Sequence, residues 1–120
     1  QGAEILIYPT AIGWDDLEDK SVRPVQYEAW QISMRAHAIA NGVFVAAPNR
    51  TGREGRLEFW GGSFVADPEG RLLHQSSHGR PEVAVVDCDR NRIEKARQTW
   101  PFLRDRRIDA FDGLVERWGH

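Results

Sequence analysis

The sequence is short of what several kinds of protein would need. It holds a single cysteine, Cys88, in 120 residues, so no disulfide can close within the chain and a reducing cytoplasm is the expected setting. Asp87 and Asp89 flank that thiol, and nearby negative charge works against the thiolate a nucleophile needs, so Cys88 reads as structural. The four histidines, His37, His74, His78 and His120, have no spacing typical of ligands, and one cysteine cannot build a zinc knuckle, so no metal is expected. No apolar run approaches the roughly 20 residues that span a bilayer, and no basic-then-apolar leader opens the chain. Charge of one sign is lacking too. At a net -2, neither nucleic acid nor an anionic membrane is an expected partner. An initiator methionine is also missing, and Gln1-Gly2-Ala3 leads straight into a buried-type strand, the pattern expected of a chain that begins mid-protein.

What remains is ordinary globular composition, 41% hydrophobic and 28% charged, enough for one domain at most with a real core. Ile5, Leu6, Ile7 and Tyr8 form a buried-type strand that Pro9 stops, because proline has no N–H for a ladder. Loops at the ends of parallel strands hold ligands, so Thr10, Ala11, Ile12 and Trp14 are placed to line a pocket mouth. From Trp14 to Arg23 the chain reads as a solvated loop with four carboxylates, Asp15, Asp16, Glu18 and Asp19. Such a loop could favour a cationic substrate or simply be hydrated.

Pro24 suits the first turn of a helix that runs to about Asn41, with Tyr27, Trp30, Met34, Ala38 and His37 on one face. Gly42 stops it, and Val43 to Ala47 follows as a second strand buried on both faces. Strand, helix, strand makes a crossover unit. Pro48 ends that strand as Pro9 ended the first. Asn49 and Arg50 then occupy a loop where an amide and a guanidinium could bind a carboxylate or tie down the backbone. Asn49-Arg50-Thr51 also matches a glycosylation acceptor, by coincidence in a chain with no secretory signal. Thr51 to Leu57 reads as a charged loop, Ser63 to His74 as an antiparallel hairpin turning at Asp67-Pro68-Glu69-Gly70, and Val83 to Asp87 as a further strand. A helix capped by Asp89 or Asn91 runs to about Thr99. Arg104, Arg106 and Arg107, around Asp105, read as partners for acidic groups, and the remaining residues to His120 as an arm lying across another surface.

Four stretches, in order, resemble the nitrilase superfamily of carbon–nitrogen hydrolases: G-A-E-I-L-I-Y-P-T-A-I-G-W from Gly2, H-A-I-A-N-G-V-F-V-A-A-P-N-R from His37, F-W-G-G-S-F-V-A-D-P-E-G from Phe59 and W-P-F-L-R-D-R-R from Trp100. The likeness covers nearly the whole chain and is strongest to the N-carbamoylputrescine amidase branch. It implies an α/β fold, part of an α-β-β-α sandwich, in homo-oligomers without metal or organic cofactor. It also implies hydrolysis of an amide or carbamoyl C–N bond through a thioester, with a glutamate as general base, a lysine at the oxyanion and a cysteine as nucleophile.

Those three residues belong to family segments upstream of the match at Gly2, so no catalytic residue is expected in this chain and Cys88 does not take the nucleophile's place. Residues 1–120 thus read as the C-terminal part of a single hydrolase domain whose N-terminal part is absent and would be its first partner. By the same resemblance Thr10, Ala11 and Ile12, with Trp14 adjacent, contact a small amide or carbamoyl substrate of the kind met in polyamine biosynthesis, and Asn49 and Arg50 support the site. A reading of another class is a non-catalytic half-domain that pairs with another chain.

Overall fold

A computed structural model describes residues 2–110. Strand β1 (Ile5–Ile7) and β2 (Gly13–Asp15) precede helix α1 (Arg23–Asn41), then come β3 (Phe44–Ala47), β4 (Thr51–Glu54), β5 (Leu57–Trp60), β6 (Phe64–Ala66) and β7 (Leu72–Gln75). Helices α2 (Asn91–Thr99) and α3 (Phe102–Asp105) follow. The strands form a four-stranded sheet, ordered β1-β3-β6-β7, and a three-stranded sheet, ordered β2-β5-β4.

The expected crossover is present: β1 and β3 are parallel, with Ile5 opposite Phe44 and Ile7 opposite Ala46, and α1 connects them. Pro24 lies in the first turn of α1, and Gly42 ends it in the left-handed conformation at φ 58°, which costs glycine little. The face of α1 that carries Trp30 and Ala38 packs on Val45, Ala47, Phe64 and Ala66 of the larger sheet, with Leu6, Tyr8, Tyr27 and Met34 at the margin. His37, expected on that face, is exposed, although its ring lies 5.9 Å from that of Tyr8. The β6–β7 hairpin turns at the buried Asp67, whose Oδ1 accepts from the backbone N–H of Glu69 and of Arg71, both at 2.9 Å. Arg92 of α2 approaches the other carboxylate oxygen at 3.2 Å as an ion pair, off the line of a hydrogen bond.

Four expectations are corrected. Thr51 to Leu57 is not a loop: β4 and β5 pair antiparallel from Thr51–Trp60 to Glu54–Leu57. Nor does the expected loop begin at Trp14, since Gly13–Asp15 forms β2 on the other side of β5. Charged strands hold there because opposite charges face each other across the ladder: Arg53 binds Asp16 and lies 3.6 Å from Glu58, and Arg56 lies 3.1 Å from Asp15. Strand β1 is not buried on both faces, since Ile5 and Ile7 are 46% and 64% exposed. Val83 to Asp87 is not a strand either. It alternates as one would, with Val83 and Val85 almost wholly exposed and Ala84 and Val86 facing the sheet, but among the described residues no strand pairs with it. The terminal arm beyond Ala110 lies outside the described residues.

Candidate functional site

The two proline-stopped strands deliver their loops side by side. Thr10 and Asn49 form a parallel bridge just beyond β1 and β3, with Thr10 N–H donating to Pro48 O at 2.9 Å and Arg50 N–H to Thr10 O at 3.1 Å. Asn49 then ties three segments together with its side chain. Its Oδ1 accepts from the Thr10 hydroxyl and from the Ile12 N–H, each at 3.0 Å. Its Nδ2 donates to Ile12 O and Gly61 O, each at 3.0 Å. An amide offers two donors and two acceptor positions, so Asn49 is saturated. It can shape a site but has no group left to bind a ligand.

The remaining predicted residues take different places. Ala11 and Ile12 are exposed on the loop that Asn49 holds. Arg50 also belongs to the tie through its backbone, since its carbonyl accepts from Gly61 N–H at 3.0 Å. Its guanidinium, however, lies over the Phe59 ring at 4.2 Å and pairs with Glu54 at 2.7 Å, turned along the hairpin. Trp14 sits on β2 within an aromatic cluster, 5.5 Å from the Trp60 ring and 5.9 Å from that of His78. Its indole N–H donates to Arg23 O at 3.1 Å, and the Arg23 guanidinium lies 5.1 Å over its ring.

The acidic loop carries little free charge. Asp16 pairs with Arg53 and lies 3.6 Å from Arg23, Asp15 pairs with Arg56, and Asp19 caps the short turn before α1 by accepting from Ser21 N–H. The hydrogen bond from Arg53, with the charges of Arg53 and Arg23, holds the Asp16 carboxyl below the usual carboxylate range. Electrostatic choice of a cationic substrate by these groups therefore has no support in the geometry. Burial, then Asp87, pushes the Cys88 thiol up, as its flanking carboxylates suggest.

Sequence reasoning missed three contributors. The Ser63 hydroxyl accepts from Asn49 N–H at 2.9 Å. His78 donates from Nδ1 to Trp60 O at 2.6 Å and stands edge-on to Tyr27, ring centres 4.6 Å apart. Tyr27 in turn donates to Gly62 O at 3.0 Å while accepting from Gln31. The signal for all three was Phe59-Trp60-Gly61-Gly62-Ser63, where aromatics meet residues that permit close backbone approach. Below the tied loops, on the side of the larger sheet away from α1, lies a hollow of about 230 Å³ lined by Ile7, Ala46, Pro48, His74, Glu82 and Val86, among others. Among the described residues, no group of three or more acidic, histidine or cysteine side chains is placed to hold a metal ion, and no helix is long and apolar enough to cross a membrane.

Residues 1–98 match the family model for carbon-nitrogen hydrolases. The chain belongs to the carbon–nitrogen hydrolase family. Over its full length it is 36% identical to an N-carbamoylputrescine amidase from Arabidopsis thaliana, and over 98% of its length 32% identical to a citrullinase from Francisella tularensis, covering 42% of each. The crystal structure of a carbon-nitrogen hydrolase from Helicobacter pylori superposes with a TM-score of 0.92 at 41% identity, over 98% of this chain and 43% of that one. The expected α/β fold of the nitrilase superfamily is thereby borne out, and the chain spans about two fifths of the length of the hydrolases it matches.

Proposed function

We propose that this chain is the C-terminal part of an amidase that hydrolyses the carbamoyl C–N bond of an N-carbamoyl amine, with N-carbamoylputrescine as the preferred substrate. The observation that carries the reading is the Asn49 tie. It fixes Thr10, Ala11 and Ile12 at the carboxyl ends of two parallel strands, where α/β folds hold ligands, in a chain similar throughout to an enzyme named for that substrate. The similarity to a citrullinase supports the same chemistry, since citrulline and N-carbamoylputrescine share a terminal ureido group.

In the intact enzyme the glutamate, lysine and cysteine would come from the polypeptide that precedes these residues; the cysteine attacks the carbamoyl carbon, a C–N bond breaks as the glutamate passes the thiol's proton to the departing nitrogen, and water then cleaves the remaining thioester to free the cysteine. This chain supplies the wall against which that carbon is positioned. It supplies no nucleophile, in keeping with the raised Cys88 thiol.

The full-length protein assayed on N-carbamoylputrescine, citrulline and simple aliphatic amides tests the proposal. The ureido substrates should have the highest kcat/KM. Asn49→Ala should lower it by about 10²-fold while the protein stays folded, because a misplaced wall loses near-attack geometry. Cys88→Ser should be silent. Equal turnover of all amides, or an unaffected Asn49→Ala enzyme, would overturn it.

A further inference from the structure

Glu82 is the one carboxylate among the described residues that line the hollow of about 230 Å³ on the side of the larger sheet away from α1. Each carboxylate oxygen can accept two hydrogen bonds. Oε1 takes the Ser77 hydroxyl at 2.6 Å and Arg80 Nε at 3.1 Å, whereas among the described residues Oε2 takes only the Ser77 N–H, at 3.2 Å. Oε2 therefore keeps an acceptor position open. The other polar side chains around the hollow are engaged elsewhere, since the Ser63 hydroxyl serves the Asn49 backbone and His74 Nε2 meets Ser76 Oγ at 2.9 Å. Most of the remaining wall is apolar, Ile7, Ala46, Val65 and Val86 among it.

The hollow is continuous with the tied loops. Pro48 lines it while its carbonyl accepts from Thr10 N–H at 2.9 Å, and Ser63 lines it while its hydroxyl accepts from Asn49 N–H at 2.9 Å. A substrate whose carbamoyl group lies against Thr10 and Ile12 thus has a path for its tail down this wall to Glu82. Apolar walls suit methylenes. At the end of the path an alkyl terminus would strip water from an ionised carboxylate without replacing it, and a terminal carboxylate would be repelled. An ammonium fills the open position on Oε2 with a charge-assisted bond. Arg80 does not take that role, because it reaches Oε1 and is itself exposed. Nor do the acidic-loop groups compete for the ammonium, since Asp16 is held by Arg53, Asp15 by Arg56 and Glu18 by Gln26.

We infer that Glu82 is a specificity-determining residue that receives the distal ammonium of an ω-aminoalkyl urea, with the hollow holding the methylenes between. The inference rests on the ureido reading above and adds the group that recognises the other end of the substrate. Tests belong in the full-length protein. Glu82→Gln should lower kcat/KM for N-carbamoylputrescine about tenfold or more, the loss of one charge-assisted hydrogen bond. It should not lower it for N-pentylurea, in which a methyl group stands in place of the ammonium. Glu82→Lys should reverse the preference, turning over 5-ureidopentanoate, which ends in a carboxylate, better than N-carbamoylputrescine. An equal loss on N-pentylurea would make Glu82 a structural part of its loop and overturn the inference, as would an unchanged rate on N-carbamoylputrescine. Putrescine binding followed by calorimetry needs no turnover and keeps the two readings apart. An enzyme that hydrolyses neither urea, yet binds putrescine about tenfold more weakly as Glu82→Gln, refutes the ureido reading and keeps the ammonium site. Equal putrescine affinity in both proteins overturns the site.

Discussion

The larger sheet presents two faces built from equally apolar strands but treated in opposite ways. Toward α1, Val45, Ala47, Phe64 and Ala66 are buried with Trp30 in one cluster. On the reverse, Phe44 is buried, yet Ile5 and Ile7 of the neighbouring strand are open, and Val83 and Val85 point outward from the segment that runs over that side. Strand composition therefore does not say which face a sheet covers; what is laid on each face does. The bare side, with its hollow beside Pro48 and Glu82, is where the remaining three fifths of a full-length hydrolase would pack under our proposal.

Breaking the covered face should have the largest effect. Trp30 is buried among Phe64, Trp60 and Tyr27, its ring 5.3 Å from that of Phe64. Trp30→Ala in the full-length protein should cost about 3–5 kcal/mol, the usual range for a large aromatic in a core, read as a lowered denaturant midpoint. A loss under about 1 kcal/mol would show that α1 is not what holds this sheet.

The bare face sharpens the comparison. In this chain Ile7 is mostly exposed, and on that ground alone Ile7→Ser would be nearly neutral. If the rest of the polypeptide covers the face, the same substitution should cost about 1.5–3 kcal/mol, the value of burying an isoleucine side chain. An unchanged melting temperature would mean that the face stays open in the complete protein. The placement of residues 1–120 as part of one larger domain would then be wrong.

The contrast also explains which parts of the molecule could be read from sequence. The β1-α1-β3 crossover was legible because apolar runs, Pro9, Pro48, Pro24 and Gly42 all act within a few residues of themselves. The β4–β5 hairpin was not, since Arg53 and Arg56 look like loop residues until Asp16 and Asp15 stand across from them. Val83 to Val86 has a strand's composition and alternation, but a strand exists only with a neighbour, and the composition of one segment does not show whether its neighbour is present. At the site, the grouping of Thr10 with Asn49 followed from two strands ending alike. That Asn49 spends its whole amide on Thr10, Ile12 and Gly61 required the positions of three loops at once.

The smallest expected effect lies at the edge of the bare face, in the loop that leaves β7. Glu82 accepts from the Ser77 hydroxyl at 2.6 Å, from Arg80 Nε at 3.1 Å and from the Ser77 N–H at 3.2 Å, and these bonds, the Ser77 hydroxyl first, draw its carboxyl down to about 2. A carboxylate with a depressed pKa ties the loop fully above its ordinary value near 4.5 and releases it only as the pH falls through about 2. Between pH 4.5 and 2 the loop should therefore stay closed where an ordinary glutamate would already have let go. Carboxyl chemical shifts followed across that range in the full-length protein should give Glu82 a midpoint well below the ordinary 4.5, and Ser77→Ala should move it upward. Because the group is solvent-exposed, added salt should weaken only the Arg80 contribution and leave most of the shift, which rests on the Ser77 hydrogen bonds. A midpoint near 4.5 at low salt would show that the tie does not form and that this edge of the hollow is open.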